Sequence, residues 1–363
     1  MVTGGKFPEV AASGTPYEIG FTHGKEAAEL VKRNVVMYKS MFMDYSAVPW
    51  DKAVRYATTF IPKIKAYDAD LMEELQGVAD GAGLPLEDIM ALNLRSEVVF
   101  QGGMIDEGTT DGCTALAVTP ARAKDGHTLL AQNWDWRVVV RENCILLRIA
   151  QKRPKPDIVM VTEAGIIGKI GFNSAGVGVL LNALASNQRV VEPSIPLHIA
   201  LRGILNAPLL SVAVGAAIKV PLGANAHFLI ASANGEAVSI ETGPQTNDVM
   251  YADEGYLVHA NHFVSPKMTD FTDVGHRNFP DSFLRHGRMK QMLREAGTEV
   301  TTEDIKEMLR DHTDFPDGIC RHFGAHRLPG RSSETVFSIV MDLTARTMEV
   351  APGNPCETPY YSV

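Results

Sequence analysis

The dipeptide Gly112-Cys113 combines the two residue types that self-cleavage of a peptide bond needs. The cysteine thiol can attack the glycine carbonyl and convert the peptide bond into a thioester, which water then hydrolyses. The α-amino group released on Cys113 has an ordinary pKa of about 7.7–8.0, which suits it to act as general base for its own thiol. Glycine at the preceding position permits the backbone distortion that the attack requires. The alternative is a small buried cysteine at the start of a strand, the usual environment of a lone cysteine.

The other three cysteines offer weaker chemistry. Four cysteines in 363 residues, with no C-x-x-C pair, do not form a disulfide framework. Cys144 lies in an apolar run and is predicted to be a core residue. Cys320 stands near His322 and His326, an i, i+4 pair whose spacing would suit zinc, but no fourth ligand is evident. The sequence therefore predicts neither a metal nor a cofactor.

The elements that must position Cys113 change character at this residue. Three helical stretches are predicted before it, and the segment Gly102–Gly112 resembles a flexible linker because it has four glycines and three acids. After Cys113 the chain alternates in the manner of strands, with helices interposed. The predicted strands are Thr114–Thr119, Thr128–Trp136, Cys144–Ala150, Ile158–Thr162, Gly168–Phe172, Val177–Leu184, His227–Ala233, Ala237–Glu241, Tyr256–His259, Thr335–Asp342 and Thr347–Val350. The predicted helices run over Tyr17–Phe42, Asp51–Ala79, Leu86–Val99, Pro196–Asn206, Leu210–Val220, Ser282–Ala296 and Thr302–His312.

Several short motifs, in this order along the chain, resemble the acyl-coenzyme A:6-aminopenicillanic acid acyltransferase family, peptidase family C45. That family is similar in turn to the choloylglycine hydrolases and acid ceramidase. The motifs are Gly14–Gly20 with His23-Gly24, Asp111–Thr114, Gln132–Asp135, Gly171–Gly178, Ala260–Phe263 and Ile319–His322. Each is a weak signal alone, but their order along nearly the whole chain is specific.

The resemblance implies a set of catalytic residues around a Cys113 nucleophile. Asp135 would hold the ammonium or thiol of Cys113, and Asn261 would donate to the oxyanion. Arg321 would lie near the nucleophile, where a cation favours the thiolate. Asn182 stands where the choloylglycine relatives place an asparagine beside the oxyanion. The alternatives are a solvated strand-edge aspartate for Asp135, a loop cap for Asn261 and a surface ion pair for Arg321.

Gln132 is a departure from part of this group. The choloylglycine and ceramidase relatives carry an arginine three residues before the aspartate, whereas this chain has glutamine. The penicillin acyltransferases resemble this chain there. The difference favours the acyltransferase branch and removes support for bile-salt or ceramide specificity.

The resemblance also implies the fold and the reaction. We expect an α+β fold, the four-layer α/β/β/α sandwich of N-terminal nucleophile hydrolases with a helical N-terminal segment. Cleavage at Gly112-Cys113 would convert a zymogen into a heterodimer of residues 1–112 and residues 113–363. The mature enzyme would hydrolyse small N-acyl amides or transfer an acyl group from a thioester or amide to an amine. A pure linear-amide hydrolase and an unprocessed, non-catalytic binding homologue remain alternatives.

Composition restricts the partners. The formal net charge of −9 argues against a nucleic-acid footprint. The sequence has no apolar run long enough to span a bilayer and no secretory signal pattern, so a cytoplasmic protein is expected. The expected partners are a small acyl amide or acyl-coenzyme A and the cleaved N-terminal chain. Homo-oligomer formation stays open.

Overall fold

A computed structural model describes residues 5–101, 112–188, 194–275, 279–324 and 333–363. Two β-sheets pack face to face, and helices cover the outer face of each. This arrangement confirms the four-layer α+β fold that the resemblance implied. The predicted linker lies outside the described residues apart from Gly112, which is the first residue of a strand. None of the helices among these residues is long and apolar enough to cross a membrane.

Fourteen strands occur among the described residues. In chain order they are β1 (Glu9–Gly14), β2 (Gly112–Val118), β3 (Leu129–Arg137), β4 (Cys144–Gln151), β5 (Ile158–Glu163), β6 (Ile170–Asn173), β7 (Val177–Ala183), β8 (Ala226–Ser232), β9 (Ala237–Thr242), β10 (Asn247–Tyr251), β11 (Tyr256–His259), β12 (Ser333–Asp342), β13 (Thr347–Ala351) and β14 (Tyr361–Ser362).

Eleven α-helices occur in the same ranges. They are α1 (Pro16–Glu26), α2 (Ala28–Ser46), α3 (Trp50–Thr58), α4 (Ile61–Tyr67), α5 (Ala69–Ala82), α6 (Leu86–Asn93), α7 (Arg95–Gln101), α8 (Leu197–Leu205), α9 (Leu210–Ile218), α10 (Asp281–Ala296) and α11 (Thr302–Leu309). A 3-10 helix, Val138–Asn143, joins β3 to β4.

The two sheets differ in size and in what covers them. The larger has the order β1-β4-β5-β6-β7-β8-β9-β10, and the smaller has the order β11-β2-β3-β12-β13-β14. All of their pairings are antiparallel except the one between β1 and β4. Every residue of β2 is buried, because one face of the smaller sheet packs on the larger sheet and the other packs on α10 and α11. The strand that carries Cys113 is therefore at the centre of the molecule.

Three of the predicted elements differ from the structure. The stretch predicted as one helix over Tyr17–Phe42 is two helices, the stretch over Asp51–Ala79 is three, and the stretch over Leu86–Val99 is two. A helical apolar period persists across such short breaks, so the pattern did not reveal them. β1, β10 and β14 were not predicted. All three lie at sheet edges, where the alternation is short and at most one face is buried.

The N-terminal glycine motif has a packing explanation. A Cβ atom at Gly20 or Gly24 would lie 2.0 or 2.2 Å from backbone oxygens of α5, so α1 and α5 touch through their backbones. The next motif residue, His23, is buried, and its Nε2 accepts a hydrogen bond from the amide of Gly165 at 3.0 Å. These residues hold the N-terminal helices on the larger sheet.

Candidate active site

Strand register places Gly112 and Cys113 on opposite faces of the smaller sheet. In the antiparallel pair β2–β3, Gly112 is opposite Asp135 and Cys113 is opposite Trp134. Residues directly opposite share a face, and successive residues alternate between faces. The Cys113 side chain, 2% exposed, therefore points into the apolar layer between the sheets with Trp134. The carboxylate of Asp135 lies on the α10 side, beneath the Gly112 position.

The backbone of Cys113 is held by three long side chains. Its N–H donates to Oδ1 of Asn261 at 2.8 Å. Its carbonyl, which follows the expected cleavage point, accepts from Nδ2 of Asn182 at 3.1 Å and from Nη1 of Arg285 at 2.8 Å. Each of these side chains is buried. The two candidate asparagines thus meet at Cys113, although they are far apart in the sequence.

Asn182 and Asn261 differ in how many of their amide hydrogens are already used in hydrogen bonds. Asn182 uses both amide hydrogens, on the carbonyls of Cys113 and His259, and its Oδ1 lies 2.9 Å from Nδ1 of His227. Asn261 donates from Nδ2 to the carbonyl of Ala183 at 3.1 Å. A primary amide has two donor hydrogens, so within the described part of the chain Asn261 keeps one for an oxyanion while its Oδ1 holds the Cys113 nitrogen.

Arg321 occupies the same face as Asp135 and is fully buried. Its guanidinium forms ion pairs with Asp281, with Asp317 at 3.0 Å and with Asp135 at 3.5 Å. The Cys113 side chain leaves the strand on the other face. The expected effect of Arg321 on the thiol pKa stays a prediction. Arg321 lies on the Gly112 side of the junction, where its Nε is 3.1 Å from the place that a Cβ of residue 112 would take.

Asp135 is buried, and its two carboxylate oxygens have different surroundings. Its Oδ1 accepts from the hydroxyl of Thr335 at 2.7 Å, while Oδ2 accepts no hydrogen bond from the described residues and faces Arg321. Burial raises the pKa of the Asp135 carboxyl to about 6, against the opposing effect of Arg321 and Arg285. We find Asp135 opposite Gly112 rather than beside the thiol, as its position in the strand pair dictates.

Two residues of this site were missed in the sequence. Arg285, 2% exposed, joins Cys113 and Thr114 to Asn261, and its Nε pairs with Asp281 at 2.8 Å. Asp281 in turn pairs with Arg321. Asp281 and Arg285 stand on α10, where an Asp and an Arg four residues apart resemble an ordinary exposed ion pair on a helix. The one available signal, this i, i+4 pairing, does not reveal burial.

Gln132 links the two sheets. Its Nε2 donates to the carbonyl of Leu181 at 2.5 Å, and its Oε1 accepts from the amide of the same residue at 3.3 Å. Leu181 precedes Asn182 on β7, so Gln132 fixes the strand that delivers Asn182 to Cys113.

The glycine before Cys113 is required by space. A Cβ at Gly112 would lie 2.8 Å from Oδ2 of Asp135 and 3.1 Å from Nε of Arg321. Gly112 has extended strand geometry and is not among the glycines with positive φ. The expectation that glycine permits the backbone distortion of the attack stays a prediction. The structure adds a second reason for glycine here, since the neighbouring ion pair leaves no room for a side chain.

We therefore expect Gly112→Ala to disturb the Asp135–Arg321 pair. Overpacking of this kind costs roughly 1–3 kcal/mol, and self-cleavage at the junction should slow about ten- to hundredfold. The measurement is the cleaved fraction against time by denaturing gel. Gly287→Ala is the matched control, since a Cβ there meets nothing within 4 Å. Equal cleavage rates for the two variants would contradict this explanation.

Asp135 should also make stability depend on pH. The folded carboxyl binds its proton near pH 6, whereas an unfolded aspartate does so near about 3.9. Stability from this group is fully present below about pH 4 and is lost as pH rises through about 6. Between about pH 4 and pH 7, the free energy of unfolding of the protein with Asp135 should fall by about 3 kcal/mol relative to that of the Asp135→Asn variant.

Urea unfolding in a Cys113→Ala background, in which we expect the chain to stay whole, measures this difference. Asp125→Asn, at an exposed turn residue, is the control and should leave the pH dependence unchanged. Parallel stability curves with and without the Asp135→Asn substitution would show that the carboxyl is ionised throughout.

The sequence matches a known family over most of its length. The family model described as acyl-coenzyme A:6-aminopenicillanic acid acyl-transferase matches residues 121–357. A curated relative, the 40 kDa form of the acyl-coenzyme A:6-aminopenicillanic-acid-acyltransferase of Emericella nidulans, is 33% identical over 359 residues, covering 96% of this chain and 94% of the relative. The family model begins after Cys113, whereas the alignment with the relative extends over nearly the whole chain.

Two solved structures are similar to this chain at low identity. The penicillin V acylase from Agrobacterium tumefaciens is 12% identical, with a TM-score of 0.48, covering 69% of this chain and 86% of that one. A mutant of the conjugated bile acid hydrolase from Clostridium perfringens is 13% identical, with a TM-score of 0.47, covering 69% and 92%. The family match and the 33% identity confirm the resemblance: this chain belongs to the acyl-coenzyme A:6-aminopenicillanic acid acyl-transferase family of enzymes.

Proposed function

We propose that this protein cleaves itself between Gly112 and Cys113 and then uses Cys113 as an N-terminal nucleophile for acyl transfer. The observation that carries the proposal is the grip on Cys113: its nitrogen is held by Asn261, and its carbonyl is held by Asn182 and Arg285. Strand pairing does not reach these two backbone groups, because β11 pairs with β2 only as far as Ala115. Buried polar side chains satisfy them instead, and this places two amides and a guanidinium beside the bond that would be cut.

Self-cleavage would proceed by an N-to-S acyl shift. The Cys113 sulfur bonds to the Gly112 carbonyl carbon, the C–N bond breaks, and the thiol proton passes to the departing nitrogen. Water then hydrolyses the thioester, which restores the thiol and leaves a carboxylate on Gly112. The freed amine retains Oδ1 of Asn261 as its hydrogen-bond acceptor, at the position where the amide stands now.

In the mature enzyme the amine of Cys113 would take the thiol proton, and the thiolate would attack the acyl donor. The uncommitted amide hydrogen of Asn261 suits the oxyanion that forms. The leaving group departs with the proton, and the acyl group stays on sulfur as a thioester. Attack by an amine or by water then releases an amide or a free acid.

The two chains would stay together after cleavage. β1 pairs with β4 over Glu9–Gly14, so backbone hydrogen bonds cross between residues 1–112 and 113–363. The buried carboxylate of Glu163 accepts from Tyr38 and pairs with Arg95 at 3.2 Å, as well as with Lys169. Burial opposes ionisation of Glu163, but the two cations bring its pKa down to about 2. The zymogen-to-heterodimer scheme therefore needs no covalent link.

The proposed substrates are based on those of the curated relative from Emericella nidulans. The name of that enzyme specifies an acyl-coenzyme A and 6-aminopenicillanic acid. We infer for this chain an acyl thioester or small N-acyl amide as donor and an amine or water as acceptor. A pure amide hydrolase and an unprocessed binding homologue are the alternatives.

The test is an acyl-enzyme measurement on the processed protein. Incubation with an acyl-coenzyme A and rapid acid quenching should give an acyl adduct on the chain that begins at Cys113, together with thiol release. Addition of 6-aminopenicillanic acid should divert the acyl group from free acid into amide. Free acid at an unchanged rate, whatever the amine, would indicate a hydrolase. Absence of both adduct and turnover with thioester and N-acyl amide donors would support a binding homologue.

A further inference from the structure

Four side chains with metal-binding atoms converge on the far side of the loop that carries Arg321. We define the His/Cys cluster as His312, Cys320, His322 and Cys356, whose ligand atoms all lie within 4.8 Å of one another. Three of them come from the loop that follows α11, and Cys356 comes from the segment after β13. The sequence pairing of His322 with His326 does not bear on the cluster, because residue 326 lies outside the described ranges.

Four of the six separations between the ligand atoms are close to the edges of a tetrahedron around one ion, and the other two are at most 4.8 Å. Cys320 Sγ lies 3.5 Å from Cys356 Sγ and 3.6 Å from Nε2 of His322. Nε2 of His322 lies 3.3 Å from Cys356 Sγ and 3.0 Å from Nε2 of His312. Zinc bonds of about 2.3 Å to sulfur and about 2.0–2.1 Å to nitrogen give tetrahedral edges of roughly 3.4–3.8 Å. All four separations lie within about 0.4 Å of such edges.

The surroundings are those of a metal site as well. His322 presents Nε2 to the cluster, while its Nδ1 lies 3.8 Å from a carboxylate oxygen of Glu357. This separation exceeds a hydrogen bond, but it puts a carboxylate on the side of the ring where ligating histidines commonly have one. The amide of Asn354 lies 3.9 Å from Cys320 Sγ, where it can support a thiolate. Phe315 packs against both imidazoles.

We infer that the His/Cys cluster binds one zinc ion in a closed, structural Cys₂His₂ site. Binding takes a proton from each thiol, so two protons leave and the two thiolates balance the charge of the ion. Four protein ligands leave no position for water or substrate, and soft thiolates with imidazoles select zinc over magnesium or calcium.

The site would act on the catalytic centre through one residue. Arg321 stands between the ligands Cys320 and His322, and its guanidinium reaches Asp135 and Asp281. Its carbonyl accepts from Asn354 at 2.6 Å, which places it against the C-terminal segment that carries Cys356. Zinc would clamp the loop of Arg321 to that segment and so fix the guanidinium beneath Gly112.

The test begins with metal analysis of untagged protein purified without chelator. Inductively coupled plasma mass spectrometry should find one zinc per chain. Cys356→Ser and the double variant Cys320→Ser with Cys356→Ser should lose it. Cys144→Ala, at a buried cysteine outside the cluster, should retain it. Cys113→Ala should also retain it, which separates the metal site from self-cleavage.

Cobalt provides a readout that does not depend on variants folding. Wild-type protein, stripped with chelator under reducing conditions and refilled with Co²⁺, should show thiolate-to-cobalt charge transfer and intense tetrahedral d–d bands, which zinc then abolishes. Reduced protein that retains no zinc and shows no cobalt–thiolate bands would overturn the inference. A Cys320–Cys356 disulfide that persists in the purified protein, seen as the loss of two hydrogens in peptide mass, would also overturn it.

Discussion

Replacing Cys113 with alanine is expected to leave the protein as one chain of 363 residues, whereas we expect the wild type to separate into residues 1–112 and 113–363. Alanine removes the sulfur that forms the thioester and keeps the hydrogen bonds of this residue to Asn261, Asn182 and Arg285, since those bonds are made by its backbone. The effect is all-or-none because no acyl shift occurs without the nucleophile. Intact-mass spectrometry under denaturing conditions measures it directly.

Two further variants make this result specific to Cys113. Cys144→Ala, on β4, should cleave as the wild type does. Cys113→Ser retains a weaker nucleophile and should cleave slowly or not at all. A wild-type chain that stays whole through long incubation would sink the self-cleavage proposal. An alanine variant that still splits at Gly112 would show that another group cuts the bond.

Replacing Arg285 with methionine is expected to have the second largest effect. Methionine has a similar length but no donors, so the carbonyl of Cys113 and Oδ1 of Asn261 each lose a partner while they remain buried. Breaking a buried ion pair from one side costs roughly 3–5 kcal/mol. Asp281 keeps Arg321 as a partner, which places the loss toward the lower end of that range.

In the Cys113→Ala background, we expect Arg285→Met to lower the urea midpoint of unfolding. In protein that retains Cys113, we expect folded Arg285→Met to cleave more slowly. Arg294→Met, at an exposed residue of the same helix, is the matched control and should change neither. Cleavage at the wild-type rate by folded Arg285→Met protein would assign Arg285 to stability alone, because Asn261 would then hold the Cys113 nitrogen without it.

Much of the fold could be predicted because its signals are local. The capping box of Thr15 and Glu18 begins α1, and the one of Thr301 and Asp304 begins α11, as hydrogen bonds between near neighbours. Alternation in the strands after Cys113 reported which residues face a core. The short helices within Asp51–Ala79 and the edge strands β1 and β10 were missed, because their boundaries depend on tertiary packing.

The candidate site was only half predictable for a related reason. The order of the motifs along the chain selected five candidate residues, and the structure places all five around the Gly112-Cys113 junction. They are Cys113, Asn182, Asn261, Asp135 and Arg321. The sequence could not show on which face of the smaller sheet each of these side chains lies. Asp135 lies opposite Gly112 because of strand register, and register depends on which residues pair across β2 and β3.

By itself, the sequence determined the family, the layer order and the residue with nucleophilic potential, since each rests on local pattern or on motif order. Only the tertiary structure decided that Arg285 meets the Cys113 carbonyl from 172 positions away, that space at Asp135 requires glycine at 112, and that Cys356 joins Cys320, His312 and His322. Such contacts arise where sheets, helices and the C-terminal segment pack together, and no local propensity encodes the distance between residues that packing alone makes neighbours.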